Sequence, residues 1–382
     1  MALDVAVVGA GPAGLSTAGR LASMGHSVIV IEEDSEIGYP VKCAGIMSSD
    51  GLRELRGLCG RGLDGVKLEG GEVEVRGRGS IELDIGELGA FAVDRRAIDK
   101  CLFEFAASSG AEFALSERAL YLAPGSVVTR RSRYAPRVVV DARGAAAYPA
   151  RERLLHAVQY TCRAPSRGNG QGKVRIVVDK GASREYFLWE VRTGDGELLL
   201  GGAGSSPASL EGAVDAMRSR TGCAPYRVVR SPIVVGGFSG PGSGGIFRVG
   251  DSAGNAKPLT GGGDVLSVVA SGIASRAISE YLSGSLDLEG SHALYGRSWR
   301  ALYGKEESAQ KLLRYLYERM DEGEVWELLM RLKGSGALDR LDAAFDAMGT
   351  WLKASLGIEL LGRMALRRLR ESIGTLRGAD LR

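Results

Sequence analysis

The sequence predicts an α/β fold in three parts: a domain built on a parallel sheet, an antiparallel-sheet domain, and a helical C-terminal region. Three observations carry this reading. The chain opens with an apolar strand, a glycine turn, a helix and a second apolar strand. Further on, short segments alternate apolar and charged residues, the period-two pattern of half-buried antiparallel strands. The last ninety residues lose that pattern and become Leu-, Arg- and Glu-rich amphipathic helices.

In chain order, Asp4 to Val8 reads as a strand, Gly11 to Met24 as an Ala/Leu-rich helix stopped by Gly25, and Val28 to Ile31 as a fully buried strand. Residues 38–50 read as a loop. Residues 66–93 alternate, as in Val66-Lys67-Leu68-Glu69, and are expected to form antiparallel strands outside the parallel sheet. Arg95 to Ser109 returns to helical spacing with Ile98, Leu102, Phe105 and Ala106 on one face, and Ala135 to Gly144 is a Val-rich strand. Strand patterns recur at Val174 to Val178, Tyr186 to Val191 and Leu198 to Leu200, before a helix near 209–220. Ile246 to Gly250 is another buried strand, running into a Gly-rich turn and a helix over about 261–283. The boundaries this suggests are 1–65, 92–149 and 236–290 for the parallel-sheet domain, 66–91 and 150–235 for the second domain, and 291–382 for the helical region.

The 382 residues are 45% hydrophobic, enough for a large core, and 49 basic against 46 acidic residues leave a charge of only +3. That balance excludes a whole-surface nucleic-acid binder. Five cysteines lack metal-ligand spacing and the three histidines (26, 156, 292) are scattered, so no metal site is expected and the histidines read as structural or surface residues. The N-terminus lacks a signal-peptide pattern, and no apolar run of about 18 residues suggests a membrane span. A cytoplasmic protein with reduced thiols is expected. Two Asn and three Gln against 39 Arg is a shortage of heat-labile amides that points to a thermophile.

Gly9-Ala10-Gly11-Pro12-Ala13-Gly14 fits GxGxxG between a strand and a helix. Gly9 allows the tight turn, Gly11 lets a pyrophosphate approach the backbone, and Gly14 lets helix and strand pack closely, while the free N–H groups around Pro12 and Ala13 face the phosphates. Glu32, at the end of the second strand, is placed to accept hydrogen bonds from ribose hydroxyls. The expected ligand is a dinucleotide.

Gly250-Asp251 opens a second glycine turn that runs through Pro258 to Gly261-Gly262-Gly263 and Asp264. This resembles the second cofactor motif of FAD flavoproteins of the para-hydroxybenzoate hydroxylase type, and implies a Rossmann-like FAD-binding domain with FAD as cofactor. By that resemblance Asp251 binds the ribityl chain and Gly261 to Gly263 bring a helix N-terminus to the flavin, where it stabilises negative charge. Arg95 is similar to the family's arginine near the pyrophosphate, and Ala119, on the strand after that helix, to the position whose backbone lies by the adenine. Where hydroxylases of this type carry Asp-Gly, this chain has Asp141-Ala142-Arg143, which weakens a monooxygenase reading. Asp264 stands where the family usually has an apolar residue. A carboxylate near the flavin and a plain helix N-terminal acid both fit it.

The segment Ile37 to Ser48, the Gly250-Asp251 turn, and Tyr295 to Trp299 resemble the archaeal geranylgeranyl reductases. That resemblance covers about residues 3–300 and puts Cys43 and Ala44 near the flavin. Cys43 is the candidate near the reacting atoms, although a small buried hydrophobe also fits it. The family's aromatic substrate motif keeps only Trp189 here, within Phe187 to Arg192 and beside Tyr186. Phe187, Trp189 and Val191 share one strand face, which suits an apolar wall for a hydrocarbon as well as core packing. The implied activity is FAD-dependent saturation of isoprenoid double bonds in membrane lipid precursors, with ferredoxin or NADPH as external donor. An aromatic monooxygenase, a quinone-linked electron-transfer flavoprotein dehydrogenase (which would carry C-terminal cysteines, none of which follows Cys223) and a non-catalytic flavoprotein or lipid-binding protein are the alternatives. Residues 351–382 carry seven basic against three acidic residues, so peripheral contact with an anionic membrane surface is expected, with a solvated basic face as the other reading.

Overall fold

The computed structural model of the chain describes residues 3–59, 63–83, 85, 89–163, 172–193 and 196–335. The strands Val5–Val8, Val28–Ile31, Glu112–Ala114, Val138–Asp141 and Ile246–Arg248 form a parallel sheet, with the short Gly242–Ser243 antiparallel at its edge. Val5–Val8 sits centrally, paired in register with Val28 on one side and Val138 on the other. All four of its residues are buried, which is why it reads as an uninterrupted apolar run.

Helix α1 (Pro12–Ser23) follows the first strand, α2 (Ser49–Cys59) follows a short strand Ile46–Ser48, and α3 (Arg95–Ser108) follows Ala90–Val93. On one face of the parallel sheet α1 packs between α3 and the later helix, with Leu15, Leu21, Ile98 and Leu102 fully buried beneath it. The other face is covered by a three-stranded meander (Ala119–Ala123, Ser126–Thr129, Arg133–Tyr134) through Val127.

A seven-stranded sheet forms the second layer. Its order is Pro225–Val234, Leu154–Arg163, Glu197–Gly204, Leu188–Arg192, Lys173–Val178, Gly70–Val75, Gly79–Leu83. Only the pairing of 173–178 with 70–75 is parallel. One face is closed by α4 (Pro207–Thr221), whose Leu210, Val214 and Met217 pack on Val158, Leu188 and Leu200. The opposite face looks toward the parallel-sheet layer. Helix α5 (Asp264–Leu282), the 30-residue α6 (Leu288–Tyr317) and α7 (Glu322–Gly334) complete the described chain.

Four expectations are corrected. The 38–50 segment is not all loop, because Ile46–Ser48 pairs antiparallel with the strand Ala90–Val93 and α2 begins at Ser49. That pairing joins residues over forty apart and leaves no local periodicity. Ala119 lies not on the strand directly after α3, which is Glu112–Ala114, but on the next one, in the meander. Against the expected absence of a span-length apolar segment, α5 is 19 residues long with a hydropathy of 1.2, long and apolar enough to cross a membrane. It packs against α1, α2 and α6 instead, and its buried serines face polar partners, with Ser271 Oγ 2.6 Å from Ser16 Oγ. Finally, the thiols are not all reduced: Cys59 is joined to Cys101 and Cys162 to Cys223, with Cα separations of 5.5 and 5.6 Å, leaving Cys43 as the free cysteine. Those separations suit a disulfide. The basic segment 351–382 lies outside the described residues.

Candidate functional site

A cavity of about 1160 Å³ runs between the two sheet layers, from the first glycine turn past the second and out beneath α6 and α7. Its first arm is a cradle. Gly11 is the N-cap of α1 with no side-chain cap, and Pro12 stands at the first helical position, so the helix N–H groups are left for a ligand. A Cβ on Gly14 would overlap the carbonyl oxygen of Gly9, whereas a Cβ on Gly11 would meet nothing within 4 Å. Thus Gly14 is small because the protein packs there, and Gly11 is small beside open space. Gly9 needs its glycine for another reason, a φ of +105°.

Glu32 closes the cradle. Its carboxylate accepts hydrogen bonds from the N–H of Ala10 (2.6 Å) and of Asp34 (2.9 Å). The sequence reading assigned it to ribose hydroxyls alone; the structure adds that it fastens the glycine turn. A carboxylate has about four acceptor positions, so capacity for a ligand hydroxyl is left.

Opposite, α5 begins at the second glycine turn with Gly263 as an uncapped N-cap. A Cβ on Gly263 would lie 3.0 Å from Asp251 Oδ1, which places that carboxylate at the helix end. Between the two turns lies an ion cluster. Arg95 Nε is 3.1 Å from Asp264 Oδ2, and Arg95 also pairs with Asp99 one turn along α3. Burial works against the Arg95 charge, but Asp264 and Asp99 more than offset it and raise its pKa. Burial pushes Asp99 up to about 6 despite Arg95, and pushes Asp251 up to about 6 with Asp264 adding to the effect. Asp99 Oδ1 is buried with no partner. Cys43 accepts a contact from the N–H of Gly45 at 3.4 Å. Burial, then Asp264, push its thiol up to about 12.

The second arm is apolar. Trp189 and Ile176 line it from the seven-stranded sheet, and Leu313, Leu316, Leu328 and Leu332 from α6 and α7. Tyr186 stacks on Phe187 with ring centroids 4.2 Å apart, and its hydroxyl donates to the Thr260 carbonyl of the second turn. Trp189 Nε1 donates to Gln159 Oε1 at 3.2 Å.

Of the residues expected at the site, Gly9, Gly11, Pro12, Ala13, Glu32, Cys43, Ala44, Arg95, Ala119, Asp251, Gly261, Gly262, Gly263 and Asp264 all line the cavity, as do Tyr186, Phe187 and Trp189. Gly14 does not, since it is packed under Gly9. Val191 is fully buried in a core cluster with Leu68, Ile81 and Leu199, so it belongs to the packing and not to the wall. Arg143 pairs with Asp141 through two bonds of 2.8 and 2.9 Å at the cavity edge.

Sequence reasoning missed α6. Gln310 Oε1 accepts from the N–H of Leu259 (3.2 Å), Arg314 donates to the carbonyls of Pro258 (3.1 Å) and Glu185 (3.2 Å), and Tyr317 donates to the Tyr186 carbonyl (2.8 Å). One helix therefore holds the second glycine turn and the aromatic segment together. The only sequence signal was three polar side chains at positions 310, 314 and 317, on the i, i+4, i+7 stripe where apolar residues are usual.

Comparison with known proteins agrees with this geometry. Residues 2–58 match the family model described as an FAD binding domain. The chain is 26% identical over 90% of its length, and 93% of the other, to the digeranylgeranylglycerophospholipid reductase of Methanosarcina mazei. The enzyme of that name from Methanothrix thermoacetophila is 27% identical over 86% of this chain and 91% of its own. Over most of its length the chain is thus similar to digeranylgeranylglycerophospholipid reductases, and residues 2–58 match an FAD binding domain. Among solved structures, a geranylgeranyl bacteriochlorophyll reductase-like protein from Thermoplasma acidophilum superposes with a TM-score of 0.72 at 18% identity, covering 98% of both chains. A probable FAD-dependent monooxygenase from Pseudomonas aeruginosa gives 0.63 at 18% identity, covering 85% of this chain and 98% of its own. The fold is thus shared with other flavin chemistries, and the site must decide among them. The uncapped helix ends, the open space at Gly11 and the half-buried Asp251 at the cavity wall fit FAD as cofactor, and the chain is an FAD-dependent oxidoreductase.

Proposed function

We propose that this protein saturates carbon–carbon double bonds of geranylgeranyl chains in archaeal-type membrane lipid precursors. The observation that carries this reading is the apolar arm continuous with the cofactor cradle. Leu316, Leu328 and Leu332 face Ile176 and Trp189 across it, and such a wall suits a long hydrocarbon better than a small polar substrate. Reduced FAD, when bound, supplies a hydride to one alkene carbon.

The chain's own residues do the rest. Gly9, Gly11 and the N-terminus of α1 receive the pyrophosphate, Glu32 the adenosine ribose, and Asp251 the ribityl hydroxyls. Tyr186, Phe187 and Trp189 line the hydrocarbon and exclude water around the alkene. The second carbon needs a proton, and Cys43, at the junction of the two arms, is the candidate donor. Electrons come from an external donor of the ferredoxin or NADPH class, and the work is done at the cytoplasmic surface of the membrane that holds the lipid.

Anaerobic incubation of the dithionite-reduced holoprotein with a geranylgeranyl lipid, read by mass spectrometry, tests this. Reoxidation of the flavin with products heavier by two hydrogens per bond is expected, and Trp189→Ala is expected to slow that step at least tenfold while retaining FAD. Turnover that requires oxygen and inserts it into the product would replace the reductase reading with a monooxygenase.

A further inference from the structure

Met320, between α6 and α7, lines the apolar arm and also a second cavity of about 290 Å³, whose other walls are Lys180, Arg184, Arg319 and Asp321. Three basic side chains there face one acidic one. Lys180 Nζ donates to the carbonyls of Arg184 (2.9 Å) and Tyr317 (2.7 Å) and lies 3.3 Å from the centre of the Tyr317 ring, which itself lines the apolar arm. Arg184 donates through Nε to the Glu318 carbonyl (3.3 Å), and Arg319 through Nη1 to the Tyr315 carbonyl (2.9 Å). All three charges are thus held in place by neutral groups. The acids nearby turn to other partners: Glu318 to Arg314 (2.8 Å), Glu185 to Ser205 Oγ (2.7 Å), Glu322 to the Lys180 backbone N–H (2.9 Å) and Asp321 to the Glu324 N–H (2.9 Å). Among the described residues none of the three basic side chains pairs with a carboxylate. Burial holds the Lys180 pKa down to about 8 against the pull of Glu322, and Arg184 adds to the fall.

We propose that this second cavity binds a phosphate group, the headgroup of the lipid whose chain occupies the apolar arm. A guanidinium presents five N–H donors in a planar fork that suits phosphate oxygens, and Arg184 and Arg319 each commit one to a carbonyl. A neutral ligand would leave the three cations unanswered, whereas a phosphate offers several acceptor oxygens and the opposite charge. Met320, shared by both cavities, sets the cationic pocket directly beside the apolar arm, and that juxtaposition matches a molecule with a charged end and a hydrocarbon end. The inference rests on the reading of the arm as a hydrocarbon site. It adds a direction: the polar end sits at the junction of α6 and α7 and the chain runs inward toward the glycine turns.

Geranylgeranyl monophosphate and geranylgeraniol share one chain and differ in the phosphate, so their affinities for the oxidised holoprotein, measured by calorimetric titration in one detergent, isolate the headgroup without turnover. Wild type is expected to bind the monophosphate about tenfold more tightly, with the preference shrinking as salt is added. Arg184 and Arg319 are exposed, so the double variant Arg184→Gln/Arg319→Gln should keep its FAD and its melting temperature. It is expected to lose the preference while binding geranylgeraniol as wild type does. Inorganic phosphate is expected to displace the monophosphate only at far higher concentration; free phosphate that binds as tightly as the lipid would overturn the headgroup assignment. Equal wild-type affinity for the two lipids, or a preference that survives in the double variant, overturns the inference and leaves the apolar arm standing. Binding of neither lipid overturns the hydrocarbon reading together with it.

Discussion

Arg314 donates to the Pro258 carbonyl at 3.1 Å, and with its other terminal nitrogen to the Glu185 carbonyl. Arg314 is 4% exposed and its charge is answered by Glu318 at 2.8 Å. Two segments far apart in sequence, the second glycine turn and the aromatic wall, thus have their relative position set by one planar fork. Lysine carries the charge but not the fork. Arg314→Met leaves two buried carbonyls and Glu318 unanswered, at a cost of about 3 kcal/mol. We expect a lower melting temperature and faster release of FAD, followed by flavin fluorescence, with Arg314→Lys intermediate. Unchanged FAD release in the methionine variant would show that α6 has no hold on the turn.

The two glycines of the first turn should separate folding from cofactor binding. Gly11 has φ −78° and free space where a Cβ would go, so Gly11→Ala should fold with the wild-type melting temperature in the cofactor-free state and lose FAD affinity by tenfold or more. Gly14→Ala sets a methyl group into the Gly9 carbonyl, and should cost several kcal/mol of stability, as overpacking does at its worst. Paired thermal melts and FAD titrations check both. If Gly11→Ala bound FAD normally, the phosphates would not pass where the open space lies.

Much of this was legible beforehand because the relevant signals are local. Val5–Val8, α1 and Val28–Ile31 follow from unbroken apolar runs around a glycine turn, and their bounds moved by one residue at most. The cavity-lining cofactor residues were legible for the same reason, since both turns carry their glycines within fourteen positions. What was not legible is long-range. The pairing of Ile46–Ser48 with Ala90–Val93, the disulfides, and the reach of Gln310 and Arg314 to residues over fifty positions earlier leave no periodic trace. Val191 shows the limit of period two: the pattern fixes the face of a strand, but not which part of that face is covered by neighbouring leucines.

Asp99 gives the fold a pH dependence whose sign can be worked out. Burial raises its pKa from 3.8 to about 6, against the pull of Arg95. Between those values the folded chain binds more protons than the unfolded chain. Its contribution to stability is therefore complete below about pH 4 and is lost as pH rises through about 6. Asp99→Asn removes the titration. In urea unfolding of cofactor-stripped protein, wild type should lose stability relative to this variant between pH 4 and 7, by about 2–3 kcal/mol. Parallel curves for the two proteins would mean that Arg95 keeps Asp99 ionised throughout.

The disulfides lead to a final expectation that reaches the site. Cys59–Cys101 closes a separation of 42 residues and Cys162–Cys223 one of 61, for which restriction of the unfolded chain gives about 4 kcal/mol each as an upper figure. The first staples α2 to α3, the helix that carries Arg95 and Asp99, while α2 itself abuts Val265 of α5 through Gly51. It therefore braces both sides of the ion cluster. The second fixes the end of Leu154–Arg163 to the segment after α4, away from the cradle. Protein purified without reductant should weigh about 4 Da less than its fully reduced chain, since each bond removes two hydrogens. Cys101→Ala and Cys162→Ala should both lower the melting temperature by several degrees, but only Cys101→Ala should also speed FAD release. Five titratable thiols in the denatured protein would remove the staples, and equal FAD release in the two variants would remove the link between the first staple and the site.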